Sequence, residues 1–132
     1  MKHIFTKGDK KIYTKIILTE DQAFFHGELL HSVYSTFALA RDFEWSSRLF
    51  FIELKESDEE GVGTLLHIDH KSPAFVGEEV VISATVEKIE EMELICSVEA
   101  HVKDRLIASG KTGQKMLKKD RLAALFSKPL AR

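Results

Sequence analysis

An α+β fold, in which one long central helix is wrapped by a curved antiparallel sheet, is what this 132-residue sequence predicts. Three observations predict it. Apolar residues recur near helical spacing through one long stretch, VYSTFALARDFEWSSRLFF, residues 33–51. Beyond Gly61 the apolar period changes to two, as in half-buried strands. The turns separating the last three strands, EKIEEME and VKDRL, are short, so those strands form an antiparallel meander.

Taken in order, KIYTKIIL (residues 11–18) is β-branched and reads as a strand. Residues 19–32, TEDQAFFHGELLHS, show no clean period and read as a loop with a turn of helix. Ser35 or Thr36 then caps the helix, and Phe37, Ala40, Phe43, Glu44, Leu49 and Phe50 follow near its repeat. Ala38, Leu39, Trp45, Phe51 and Ile52 fall at other angles, which predicts burial on more than one side. KESDEEG, residues 55–61, is a polar connector. Four strands follow, over 62–69, 78–89, 92–103 and 106–117. The second sets Val80, Ile82, Ala84 and Val86 on one face; the third does the same with Met92, Leu94, Cys96, Val98, Ala100 and Val102. A short amphipathic tail, RLAALF, closes the chain and Pro129 ends it. A sheet curled round one helix leaves an edge unpaired, and pairing two such edges about a two-fold axis predicts a homodimer with a continuous sheet.

Residues 1–132 are predicted to form a single domain, long enough to bury roughly two-thirds of its unfolded surface. An apolar fraction of 44% is too high for a disordered chain. A net charge of −2, with both signs interspersed, excludes the broad basic face that nucleic-acid binding needs. The one basic cluster, Lys111, Lys115, Lys118, Lys119 and Arg121, reads as a solvated strand edge, with anchoring of an anionic ligand's phosphates as the functional alternative. The lone cysteine, Cys96, cannot form an intramolecular disulfide and sits in an alternating strand, as an inert core thiol does. No segment has signal-peptide or membrane-spanning character, so a cytoplasmic protein that engages no membrane is expected.

Thr36, Glu44 and His70 are the residues that point to chemistry. A hydroxyl, a carboxylate and an imidazole suffice to hold a water, orient it and remove its proton, as hydrolysis of an activated acyl group requires. Six histidines and 21 acidic residues make many chance trios, so the framework must carry the assignment. No metal is expected: alternation puts His67 and Asp69 on one strand face and His70 on the other.

The sequence also resembles the hotdog-fold acyl-CoA thioesterases, in the fluoroacetyl-CoA thioesterase-like branch. The likeness runs from about residue 31 to 126, through HSVYST, FALARDFEW, GVGTLLHIDH, the loop ending at Gly77, and ASGKTGQ. It implies that Thr36, Glu44 and His70 are catalytic and that the Gly63 backbone N–H faces the thioester carbonyl oxygen. It implies no cofactor beyond the coenzyme A carried by the acyl-CoA substrate. An arginine often found in the family's last strand is replaced here by Gln114, the candidate ligand contact at that place. The aromatic lid that selects fluoroacetate is not recognisable, so that selectivity is not implied. Phe37 and Phe75 are candidate acyl-pocket residues. Asp21 and His26 have the spacing of a hydratase dyad in another hotdog branch, but Gln-Ala-Phe-Phe between them lacks that branch's Asn-Pro. The rival readings are a non-catalytic acyl-CoA-binding module, which would keep the pocket but need no base, and, behind it, an enoyl-CoA hydratase.

Overall fold

Alternation in the C-terminal half builds the sheet on which everything else rests. In the computed structural model, which describes residues 1–127, β1 (Lys10–Ile16), β4 (Glu59–His70), β5 (Glu79–Glu90), β6 (Glu93–Val102) and β7 (Arg105–Lys118) form one antiparallel sheet in the order β1-β5-β6-β7-β4. β5, β6 and β7 are the expected meander. Val80, Ile82, Ala84 and Val86 of β5 lie buried on one face beside Leu94, Cys96, Val98 and Ala100 of β6. The first turn of the meander bends through Glu91 and Met92, both left-handed (φ 53° and 66°), and the second through Lys103 (φ 52°).

The long helix, α1 (Thr36–Leu54), lies across this face and contacts all five strands. Ser35 is its N-cap, its hydroxyl accepting from the Ala38 N–H at 2.9 Å, so Thr36 is the first helical residue rather than the cap. Leu39, Phe43, Phe50, Phe51 and Leu54 form its fully buried stripe. The helix is not buried on a second side within the chain: Phe37 is 74% exposed, and Trp45 and Ile52 are also exposed. A second apolar face remains for something other than this sheet to cover.

Residues 19–32 differ most from expectation. One 3₁₀ turn, Thr19–Asp21, leads into a hairpin of β2 (Gln22–Phe25) and β3 (Glu28–Tyr34). His26 (φ 52°) and Gly27 (φ 80°) make its two-residue turn, both left-handed as the right-handed strand twist demands. The pair is short, bulged, and exposed along most of β3, so no alternation betrays it. Its base is tied down by main-chain bonds from Tyr34 N–H to Ala74 O (2.8 Å) and Ser35 N–H to Asp21 O (2.9 Å). Beneath lies a charged cluster. Arg41 donates to Asp21 (2.7 Å) and Asp42 (3.1 Å), Lys15 donates to Asp21 (2.8 Å), and the Tyr34 hydroxyl donates to Asp42. Both carboxylates are nearly fully buried, so their cations are what make them tolerable there.

β4 begins at Glu59, three residues before the expected start. The Lys118 ammonium reaches Asp58 at 2.9 Å and the Lys111 ammonium reaches Glu87 at 3.1 Å, so two members of the basic cluster are paired with acids. α2 (Lys119–Ser127) is the amphipathic tail; Pro129 lies outside the described residues. Cys96 is fully buried and its thiol is pushed up to about 12 by that burial, as an inert core thiol would be. Among the described residues no helix is long and apolar enough to cross a membrane, and no cluster of three metal-ligating side chains occurs.

Candidate active site

Thr36 and His70 meet where the start of α1 abuts the end of β4. The Thr36 Oγ1 lies 2.9 Å from the His70 Nδ1. The other ring nitrogen, Nε2, is buried and bonded to no described residue. Desolvation therefore lowers the His70 pKa below its ordinary 6.5, with the Ser72 backbone opposing part of the effect. The imidazole is neutral at pH 7, the state a general base must occupy.

Thr36 and His70 open on a cavity of about 360 Å³ whose other walls include Ala23, Phe25, Leu30, Val33 and Phe37. Most of that wall is the β2–β3 hairpin, which sequence reasoning read as loop. The signal that identifies it is His26-Gly27, two residues suited to left-handed backbone, flanked by Phe24-Phe25 and Leu29-Leu30. Larger depressions exist, one on the outer sheet face around His67 and His101 and one around Gly77. Neither touches the Thr36–His70 pair; the smaller apolar cavity is the one that adjoins it.

Glu44 and Gly63 form a second pair. A Cβ built on Gly63 would stand 3.7 Å from the Glu44 carboxylate, so the missing side chain leaves open space beside that oxygen. Immediately after Gly63 the β4–β7 register slips by one residue at Thr64, a bulge that re-aims the strand. Thr36 and Glu44 are eight positions apart in the helix, about 12 Å along the axis, and Gly63 and His70 are seven positions apart in the strand, about 23 Å. One chain thus holds two half-constellations rather than a single convergent trio.

The remaining candidates stand apart from the cavity. Gln114 is 6% exposed and donates from its amide nitrogen to the Ser47 Oγ at 3.1 Å, tying β7 to α1. Phe75 is in the loop between β4 and β5, exposed, with its backbone N–H donating to Glu78 at 2.8 Å. His67 and Asp69 bond to each other at 3.1 Å on the exposed side of β4. Asp21 is bound into the charged cluster: burial raises its pKa, but Arg41 and Lys15 outweigh that and hold it low. His26 is at the hairpin turn, so these two form no dyad.

Three comparisons bear on this geometry. A family model for the fluoroacetyl-CoA-specific thioesterase matches residues 17–120. No curated protein matches the sequence. Among solved structures, a hypothetical protein of Thermus thermophilus, a thioesterase superfamily member, is 28% identical, with a TM-score of 0.88 over 95% of this chain and 93% of that one. The fluoroacetyl-CoA thioesterase FlK is 17% identical, with a TM-score of 0.87 over 96% and 100%. A hot-dog-like protein from Thermanaerovibrio acidaminovorans is 19% identical, with a TM-score of 0.86 over 97% and 96%. The helix-on-sheet plan described above is theirs.

Proposed function

The chain belongs to the fluoroacetyl-CoA-specific thioesterase family and is on that ground an acyl-CoA thioesterase; we propose that Thr36, Glu44, Gly63 and His70 carry its reaction, in a site completed by a second copy of the chain. The observation that carries this reading is the 2.9 Å contact between the Thr36 hydroxyl and a neutral His70 at the mouth of an apolar cavity.

Hydrolysis joins a water oxygen to the acyl carbon, breaks the carbon–sulfur bond, and delivers a proton to the leaving sulfur. The Thr36 hydroxyl donates to Nδ1 of His70 and accepts a hydrogen bond from the attacking water. As the water attacks, its proton passes to Thr36 and the threonine proton passes to Nδ1. The imidazolium then protonates the departing thiolate. The carbonyl oxygen, negative in the tetrahedral intermediate, takes the Gly63 N–H, and Glu44 fixes the water by accepting its second hydrogen. The acyl chain lies against Phe37 and the hairpin wall.

The two half-constellations are brought together by the edge of the sheet. β4 is an outer strand of twelve residues, long and apolar at Leu65 and Leu66, both exposed. An edge of that kind invites a partner strand. Antiparallel pairing of two β4 strands about a two-fold axis reverses one against the other. The His70 end of one copy then faces the Gly63 half of its partner. The same axis covers the second apolar face of α1.

Thiol release from a panel of acyl-CoAs, followed with Ellman's reagent, tests the proposal. Wild type releases thiol, and His70→Ala and Glu44→Ala each lower kcat by roughly 10²–10⁴. Binding of acyl-CoA without release at any chain length would replace this reading with that of a non-catalytic module. Water addition to crotonyl-CoA without release would make the protein a hydratase.

A further inference from the structure

The acyl cavity holds a histidine that the mechanism does not use. His31 of β3 lines the same cavity as Thr36 and His70. It is the cross-strand partner of Ala23, whose side chain is buried at 7% exposure. That pair lies between two register breaks of the hairpin, and His31 lines the cavity as a residue still exposed to solvent.

Its surroundings make it stand out chemically. The side chains of Ala23, Phe25, Leu30, Val33 and Phe37 are all carbon. The three hydroxyls in its wall are committed elsewhere: Tyr34 to Asp42, Ser35 to the Ala38 N–H, and Thr36 to His70. His31 is left as the polar wall side chain with no partner among the described residues. A polar group facing an apolar pocket rewards a ligand that satisfies it and penalises one that covers it without a hydrogen bond.

We infer that His31 is a specificity-determining residue, and that the acyl groups this enzyme takes carry a hydrogen-bonding oxygen along the chain, a hydroxyl or a carboxylate. The inference rests on the thioesterase reading above and narrows its substrate class. A plain alkanoyl group would bury the imidazole against methylenes. An oxygen-substituted one of the same length would replace the water lost from it.

The test compares acyl groups of equal chain length: butyryl-CoA, 3-hydroxybutyryl-CoA and succinyl-CoA, each assayed for thiol release. Wild type is expected to favour at least one of the two oxygenated substrates over butyryl-CoA by about tenfold or more in kcat/KM. His31→Leu, similar in bulk and without polar atoms, brings that ratio to within about twofold of unity, while His31→Gln, which keeps a donor and an acceptor, retains part of it. Thermal unfolding of each variant establishes that it is folded. A wild-type ratio near one, or a ratio that His31→Leu leaves unchanged, overturns the role of His31 while the thioesterase reading stands. No thiol release from these substrates or any other acyl-CoA would remove the thioesterase reading and this one with it.

Discussion

His70 is held by a single side-chain hydrogen bond and otherwise by burial, and the consequences of that are measurable. Because burial penalises the imidazolium, the folded chain binds this proton less readily than the unfolded chain does. The unfolded state therefore takes up more protons as the pH falls through 6.5, and stability that is full above that value declines below it. Activity follows the same sign. The acid limb of kcat/KM against pH is expected to have its midpoint below 6.5, and His70→Ala should remove that limb along with most of the rate. A midpoint at or above 6.5 would mean that another group sets it. Gly63 supports a separate prediction. A Cβ there meets the Glu44 carboxylate at ordinary contact distance, 3.7 Å, and the backbone is not left-handed, so Gly63→Ala should fold with little change in Tm. It should nonetheless lower kcat/KM by about tenfold or more, since the methyl would occupy the space beside the proposed oxyanion donor. A variant with wild-type turnover would remove Gly63 from the site.

At the scale of elements, the proposed site depends most on β4, because Gly63 and His70 both belong to it. Its placement depends on how closely β7 approaches. A Cβ on Gly110 would fall 1.8 Å from the backbone oxygen of His67, and one on Gly113 would fall 2.8 Å from the Leu65 Cβ. Backbone cannot swing aside as a side chain can, so Gly110→Ala must push the two strands apart. We expect it to lose about 3 kcal/mol or more, a fall in Tm of roughly 10 °C. A melting temperature within 2 °C of wild type would show that the β4–β7 pairing is more pliant than its geometry. The meander was legible in the sequence because Val80 to Val86 and Leu94 to Val102 each bury one face, and burial is what alternation records. The β2–β3 hairpin was not legible, because β3 buries little of either face and its bulges break the period. Thr36, Glu44 and His70 could be picked out by type and by family likeness. Their division into two pairs could not, since it follows from where α1 and β4 cross, and no local pattern encodes that crossing.

For the whole molecule, the unpaired β4 edge and the exposed outer face of α1, with Phe37, Trp45 and Ile52, call for one solution together. In the assembly proposed above, a second copy related by a two-fold axis would extend the sheet, cover that helix face, and bring the Thr36–His70 pair of one chain toward the Glu44–Gly63 pair of the other. Sedimentation at micromolar concentration should therefore give a dimer, and Leu66→Asp, which sets a charge on the apolar edge strand, should shift the population toward monomer and lower activity with it. Mixed dimers decide whether the site itself is shared. His70→Ala and Glu44→Ala chains are each impaired alone. If a site draws His70 from one subunit and Glu44 from the other, random exchange after co-refolding makes half the dimers mixed, and each mixed dimer holds one site with both residues intact. About a quarter of the wild-type sites are then restored, and the rate should rise to about that fraction. If each chain instead supplies both residues to its own site, no mixture contains an intact one. The co-refolded sample would then be no more active than the average of the two variants, and the shared site would be excluded.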